Sequence, residues 1–506
     1  MNRYKSVALI LGLVILGKAT GFLKDLAFTF YHGVSDITDA YFLANSISSV
    51  IYMAIYSAIP VLIVPLYSRL IASGCKKTIN SGLSSGFAFF SIISACLSVA
   101  VFFLARQIVL IFSGNVSSQV GELASVYLSV MAVTFVLSTL VSLFNSVQSV
   151  NGVVTPSYIV PVVNNVVFCA GLFFCNTDED FYRVMILGVF SWLFLAGVNF
   201  SIARKYFDFD VRDAFALFSD KKFIFIFLPA IFSFYIEQLN SFIGVYFATE
   251  LGSGAISVFA YANKLNFIFL SVFLVFLTAS LFPRIAAVAA RNDYAELMRY
   301  LVTCIRVVTI CFVPIVLYMS FYSSEIVATL FQRGKFLEED VAKVATIFSI
   351  VLLALPLCLV RDIMNRVFFS YGNTLTPVFL STIALGVNAS ICFMFYNRYG
   401  LVVLAVSVVI STIINCMAAI YLVQKNDPSV LFVAGSKILV ICGVGGAIAY
   451  GVLNWLDNEF PIYWLVMFGP FICIYFICLW LWRVPEVVRV TCHICSFLSK
   501  GNINCK

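Results

Sequence analysis

The sequence predicts an all-α polytopic membrane protein of about fourteen transmembrane helices, with two six-helix lobes around a central cavity and two further C-terminal helices. Three observations carry this expectation. The 506 residues are 62% hydrophobic and only 11% charged, whereas a soluble chain carries about 25% charged residues. The apolar residues come in runs of the length a bilayer requires, about 20 residues each. The Lys and Arg residues fall overwhelmingly on alternate connections, as the positive-inside rule demands.

The runs follow one another with little between them: 5–31, 39–70, 83–106, 123–148, 154–175, 184–204, 221–247, 256–286, 299–320, 342–369, 378–397, 401–424, 433–454 and 461–482. The second and eighth are long enough to continue as a tail along the membrane surface. Turn chemistry separates neighbours at Ser73-Gly74, Asn151-Gly152, Gly372-Asn373 and Asn426-Asp427-Pro428. No connection is long enough for a catalytic domain outside the membrane, so the chain reads as a transporter and not as an enzyme. The first run follows Arg3 and Lys5 but contains Lys18 and Lys24 and lacks a small-residue cleavage pattern. It is read as a retained first helix. The 15 cysteines are scattered through apolar runs and are read as small hydrophobes. Cys492-His493-Ile494-Cys495 is only half of a zinc pattern, and no cofactor, metal or nucleic acid is expected.

With the N-terminus placed in the cytoplasm, only Arg106, Arg183, Arg333, Lys335, Lys343 and Arg398 fall on the opposite side, and four of the 31 Lys and Arg residues fall inside spans. Both termini are therefore expected in the cytoplasm of a cell whose inner membrane holds the chain. The net charge of +7 follows from the same loops. A faint repeat joins the halves: Ala44, Asn45 and Pro65 recur as Ala262, Asn263 and Pro283, each 218 positions on. Six runs separate the copies, which implies a parallel repeat. The expected divisions are an N-terminal lobe at 1–215, a second lobe at 216–428, and two additional helices with a tail at 429–506.

Charges within spans are costly, about 2.5 to 3.5 kcal/mol each at the bilayer centre on insertion scales, and mark cavities or pairs. Lys18, Lys24 and Lys264 are the candidate binding cations. Arg306 lies near a helix end, where it can snorkel. Asp39 stands at the entry of the second run. Asp25 and Glu237 are candidates for a coupling-ion or counter-ion role; Glu237 neighbours Gln238 and Asn240. Gly17 and Gly21 flank Lys18 in the spacing of either helix packing or a hinge. Basic walls in an apolar setting suit an anion, and lysine binds phosphate as a compact charge. A diphosphate on an apolar tail meets both conditions. An exporter of organic cations would instead need acidic walls. The acidic run Asp178-Glu179-Asp180 is short and reads as a solvated loop.

Residues 17–45, GKATGFLKDLAFTFYHGVSDITDAYFLAN, resemble the opening of the MurJ/MviN family of lipid II flippases, within the multidrug/oligosaccharidyl-lipid/polysaccharide exporter superfamily. Leu330 to Phe336 (LFQRGKF) and Tyr371 to Pro377 (YGNTLTP) are similar to two further family motifs. The resemblance implies that Lys18, Lys24 and Lys264 stand where the family carries cavity arginines, and that Asp39 matches the family's acidic residue. It also implies a tail groove made by the last two helices. Two positions depart from the pattern. Asn263 replaces an acidic residue, and Ser49-Val50-Ile51-Tyr52-Met53 lacks a mid-helix arginine pair. The function implied is the flipping of an undecaprenyl-diphosphate-linked saccharide by alternating access. A Wzx-type flippase for surface-polysaccharide units stands as the alternative. The implied partners are that lipid, membrane lipids, and enzymes of cell-wall or polysaccharide synthesis.

Overall fold

A computed structural model of the chain describes residues 3–72, 76–175, 177, 180–206, 208, 221–280, 282–291, 293–424, 429–454 and 463–488. The turns at Ser73-Gly74 and Asn426-Asp427-Pro428, the acidic Asp178-Glu179 and the Cys492 to Cys495 segment lie outside these residues. Each of the fourteen apolar runs contains helix. Among the described residues, eleven helices are long and apolar enough to cross a membrane. The other three runs hold α1 (Arg3–His32), α8 (Lys221–Ala248) and α9 (Ala255–Ser280). Fourteen is thus an approximate count.

The contacts group residues 1–260 with 331–340 as one compact unit, and 261–330 with 341–506 as another. The first unit contains α1, α2 (Asp36–Ser48), α3 (Ala54–Ala72), α4 (Lys76–Phe112), α5 (Ser118–Val150), α6 (Thr155–Phe174), α7 (Phe181–Ala203) and α8. Its centre is α5, which packs on α2, α3, α4 and α7, while α1 lies on α6. Gly17 and Gly21 make the α1–α6 approach. A Cβ added at Gly17 would lie 3.7 Å from Pro161, and one at Gly21 would lie 3.4 Å from the Asn165 amide. The α1 helix runs unbroken through both glycines, so their spacing serves packing here. Ser35 caps α2 by accepting from the Thr38 N–H at 3.4 Å, and Asp36 and Asp39 in the first turn favour that positive end.

The sequence run 39–70 is continuous, but its helix is not uniform. A π-helical turn at Ser49–Met53 joins α2 to α3. The Tyr235 hydroxyl on α8 donates to the carbonyl of Ile51 at 3.0 Å, satisfying an acceptor within that turn. Such wide turns occur mostly as single-turn bulges and concentrate at functional sites.

The second unit carries α10 (Phe282–Ala290), α11 (Tyr294–Phe321), α12 (Ser323–Phe331), α13 (Glu338–Leu352), α14 (Leu355–Ser370), α15 (Leu375–Tyr399) and α16 (Leu401–Val423), followed by α17 (Ser429–Asn454) and α18 (Tyr463–Leu481). Asp293 caps α11 through the Glu296 N–H at 2.9 Å. The last two helices are tied to their own unit by polar contacts. Tyr475 donates to the Ile310 carbonyl at 3.0 Å, and the Trp464 indole donates to the Thr329 hydroxyl at 3.0 Å. Arg306, expected to snorkel, instead pairs with Glu486 at 3.0 Å. The partner is 180 residues away in sequence, so only the fold brings the two together.

One turn occurs twice. After α5, Gly152 has φ +78 and the Val153 N–H donates to the Gln148 carbonyl at 2.8 Å. After α14, Gly372 has φ +71 and the Asn373 N–H donates to the Phe368 carbonyl at 2.9 Å. Both turns lead to a helix opening on Thr-Pro or Leu-Thr-Pro. A positive φ is cheap only for glycine, so the YGNTLTP motif has a structural reason for its glycine.

The LFQRGKF motif has one too. Gly334 has φ +63, and a Cβ there would overlap the Phe30 carbonyl; Gly33 has φ +55, and a Cβ there would overlap the Lys335 carbonyl. The Lys335 N–H donates to the Phe30 oxygen at 3.0 Å. The end of α1 and the 331–340 segment therefore interlock through two glycines, each facing the other segment's backbone. Gly334→Ala is expected to destabilise the protein by about 1 to 3 kcal/mol, from strain plus the overlap. A thermal melt of purified protein checks it. An unchanged midpoint would show that the segment shifts freely.

Candidate functional site

Five of the six residues singled out from the sequence lie in the first unit: Lys18, Lys24, Asp25, Asp39 and Glu237. Lys264 lies in the second. Lys18 projects from the surface of α1, with little protein over it. Lys24, six residues on, is half-buried, and its Nζ sits 5.5 Å from the centre of the Phe168 ring. A cation over an aromatic face contributes about 0.5 to 2 kcal/mol. Asp25 beside it is also half-buried. Glu237 is exposed on α8, and Lys264 is half-buried on α9.

Asp39 has the most developed surroundings. Its residue is 1% exposed. One carboxylate oxygen accepts from the Gly254 N–H at 2.6 Å. The other accepts from the Ser257 N–H at 2.7 Å and from the Ser257 hydroxyl. These donors are at the start of α9, where backbone N–H groups have no helical partner. Asp39 thus caps α9 from 218 residues away, in the way an anion occupies a helix N-terminus. Next to it, the Ser253 hydroxyl donates to Asp36 at 2.7 Å. The same α9 helix carries Lys264 two turns further on. An aromatic cluster packs behind: Phe28 lies within 5.0 to 6.1 Å, ring centre to ring centre, of Tyr41, Phe42, Phe168, Phe181 and His32.

The first unit also contains a cavity of about 720 Å³ that the sequence reading missed. One wall is the π-turn and its flanks, with Ser49, Tyr52 and Pro60. Another is α5, with Ser138, Ser142, Asn145, Ser146 and Ser149. Ser157 and Asn164 from α6 and Trp192 from α7 complete it. None of the described residues lining it is charged. The signal was present in α5: Ser138, Ser142, Asn145, Ser146 and Ser149 follow helical spacing and share one face. The Tyr52 hydroxyl bridges Ser138 at 2.8 Å and Thr139 at 2.7 Å, and its ring stacks on Phe135 with centres 4.4 Å apart. Tyr52 lies in the stretch where the resemblance calls for arginine, so a neutral, hydrogen-bonding wall occupies that place.

Comparison with known proteins places the chain in a family. The profile of a family described as lipid II flippase MurJ matches residues 28–475. A probable lipid II flippase MurJ from Aquifex aeolicus is 22% identical over 92% of this chain and 91% of that protein. The lipid II flippase MurJ of Burkholderia cenocepacia is 23% identical, covering 91% of each. A Bdellovibrio bacteriovorus relative is 27% identical, but over only 40% of this chain and 39% of its own length. Among solved structures, lipid II flippase MurJ in an inward closed conformation superposes with a TM-score of 0.80 at 20% identity, covering 93% of this chain and 98% of that one. An inward-facing multidrug resistance transporter of the MATE family superposes at 0.69 with 12% identity, covering 85% and 98%, a likeness of fold alone. With the profile running from α1 into α18, the chain belongs to the MurJ family of lipid II flippases.

Proposed function

We propose that this chain, a multi-pass membrane transporter, moves an undecaprenyl-diphosphate-linked saccharide of lipid II type from the cytoplasmic to the outer leaflet by alternating access. The observation that carries the reading is the family match along residues 28–475. The surface-polysaccharide alternative loses ground to that match and to the full-length relatives named for lipid II. An organic-cation exporter is disfavoured by the basic character of Lys18, Lys24 and Lys264.

In this reading the three lysines contact the diphosphate, each as a compact charge. Asp39 holds the start of α9 in one of the states through which the transporter cycles, and Asp25 and Glu237 supply counter-charge or couple an ion. The doubled turn after α5 and α14 supports the parallel-repeat plan, with lobes at 1–215 and 216–428 and an appended pair of helices at 429–506. The contact grouping draws α8 toward the first unit, whereas the repeat counts it in the second lobe. The membrane is the bacterial inner membrane, with both termini in the cytoplasm, and the synthesis enzymes of the cargo are the natural partners.

Depleting the resident lipid II flippase of a bacterial host while expressing this chain tests the function. Restored growth is the expected result. Lysis despite normal membrane abundance would defeat it. Topology has its own test: a cysteine in the segment containing Arg333 and Lys335 should react with an impermeant thiol reagent added outside. One placed in the connection containing Arg204 and Lys222 should react only after the membrane is opened. Equal labelling of both from one side would overturn the proposed orientation.

A further inference from the structure

We infer that the uncharged cavity of the first unit is a subsite for the saccharide part of the cargo, recognising hydroxyl and amide N–H groups, and that it takes neither the diphosphate nor a coupling cation. The inference rests on the flippase reading and adds a division of labour to it.

The wall is polar and uncharged, and it carries many acceptors. A hydroxyl has one proton to give, and several of the cavity's hydroxyls spend theirs on their own helices. Ser49 donates to the Asn45 carbonyl at 2.8 Å, Ser138 to Thr134 at 2.7 Å, Ser146 to Ser142 at 2.8 Å and Ser149 to Ser146 at 2.8 Å. Their remaining lone pairs accept. With the Ser138 proton on Thr134, the Tyr52 proton goes to Ser138 or Thr139. The Asn145 Oδ1 is buried and has no hydrogen-bond partner among the described residues. Pro60 and Pro161 line the same space. Each lacks the N–H that would engage the carbonyl four residues back, which frees the Tyr56 and Ser157 carbonyls as further acceptors.

The accepting groups of such a wall ask for donors, and the amides of Asn45, Asn145 and Asn164 can meet acceptors in turn. A diphosphate brings negative charge, and no cation among the described residues lines the cavity to balance it. A metal ion does accept oxygen ligands, but only within about 2.6 Å of each. At about 720 Å³ the cavity is far larger than such a cage and falls within the range of about 300 to 1,000 Å³ for organic ligands. A saccharide offers many O–H and amide N–H donors. Its C–H faces find flat partners in Tyr52, Tyr56 and Trp192.

The test uses purified full-length protein and two probes, undecaprenyl diphosphate with and without a disaccharide, with binding measured by native mass spectrometry. Wild type should prefer the disaccharide-bearing lipid. Asn145→Leu should narrow that preference about tenfold and leave the affinity for the bare lipid unchanged. Should Asn145→Leu fail to fold, as judged by its melt, Ser142→Ala should narrow the preference several-fold in the same direction. Equal wild-type binding of both probes would overturn the inference and leave the flippase reading standing. A preference untouched by either variant would do the same, as would sodium-dependent binding that the variants abolish. Failure of wild type to bind either probe would sink both readings.

Discussion

Replacing Lys18 or Lys264 with methionine abolishes rescue of a flippase-depleted cell while membrane abundance stays near that of wild type. The expectation follows from cost. Each ammonium lies in an apolar helix, α1 or α9, where a charge costs about 2.5 to 3.5 kcal/mol on insertion scales unless water, a partner or an anionic cargo offsets it. A positive charge retained for anchoring alone would be dispensable, and methionine preserves its length and apolar stem. Lys18→Arg and Lys264→Arg should retain rescue, because arginine keeps the charge and adds a phosphate-matched fork. Single-turnover flipping in vesicles separates binding from folding. Full activity of both methionine variants would reduce the lysines to snorkelling residues and remove the proposed diphosphate contacts.

The second large effect is expected at Asp39. Asp39→Ala leaves the Gly254 and Ser257 N–H groups and the Ser257 hydroxyl without their acceptor at a position that is 1% exposed. Stranding buried donors costs about 1 to 3 kcal/mol each where water does not replace the partner, so a loss of at least about 3 kcal/mol is expected from the three, together with loss of rescue. Ser257→Ala removes only the hydroxyl contact and should cost about 1 kcal/mol. Asp39→Asn keeps the shape and one acceptor, and should fall between the two. Thermal melts in detergent and the rescue assay measure the series. A flat series would mean that the start of α9 is held by its packing and not by the carboxylate.

Much of this protein was legible in its amino-acid order. Run length, the scarcity of charge and the Lys and Arg bias predicted an all-helical membrane chain, and each run indeed holds helix. Turn chemistry marked the breaks correctly at Asn151-Gly152 and Gly372-Asn373, because a positive φ selects glycine by a steric rule within a few residues. The resemblance at residues 17–45 and in two later motifs pointed to the family that the match along residues 28–475 bears out. Lys18, Lys24 and Lys264 stood out because a charge in an apolar run is conspicuous in one dimension.

Other features depended on which helices meet. The partners of Asp39 lie 215 and 218 residues away; nothing near Asp39 names them. The interlocked glycines Gly33 and Gly334 appear in sequence as two unrelated loop residues, and only their mutual approach explains both. Arg306 looked like a snorkelling side chain until Glu486 proved to be beside it. The cavity is the clearest case. Serines and asparagines inside helices read one by one as tolerated small polar residues, since each can satisfy its proton on its own backbone. Hydropathy and spacing are local properties and survive in a one-dimensional reading. A cavity wall of uncharged polar groups from α2, α3, α5 and α6 exists only once tertiary packing turns those faces toward the same space, and for that reason only the tertiary structure decided it.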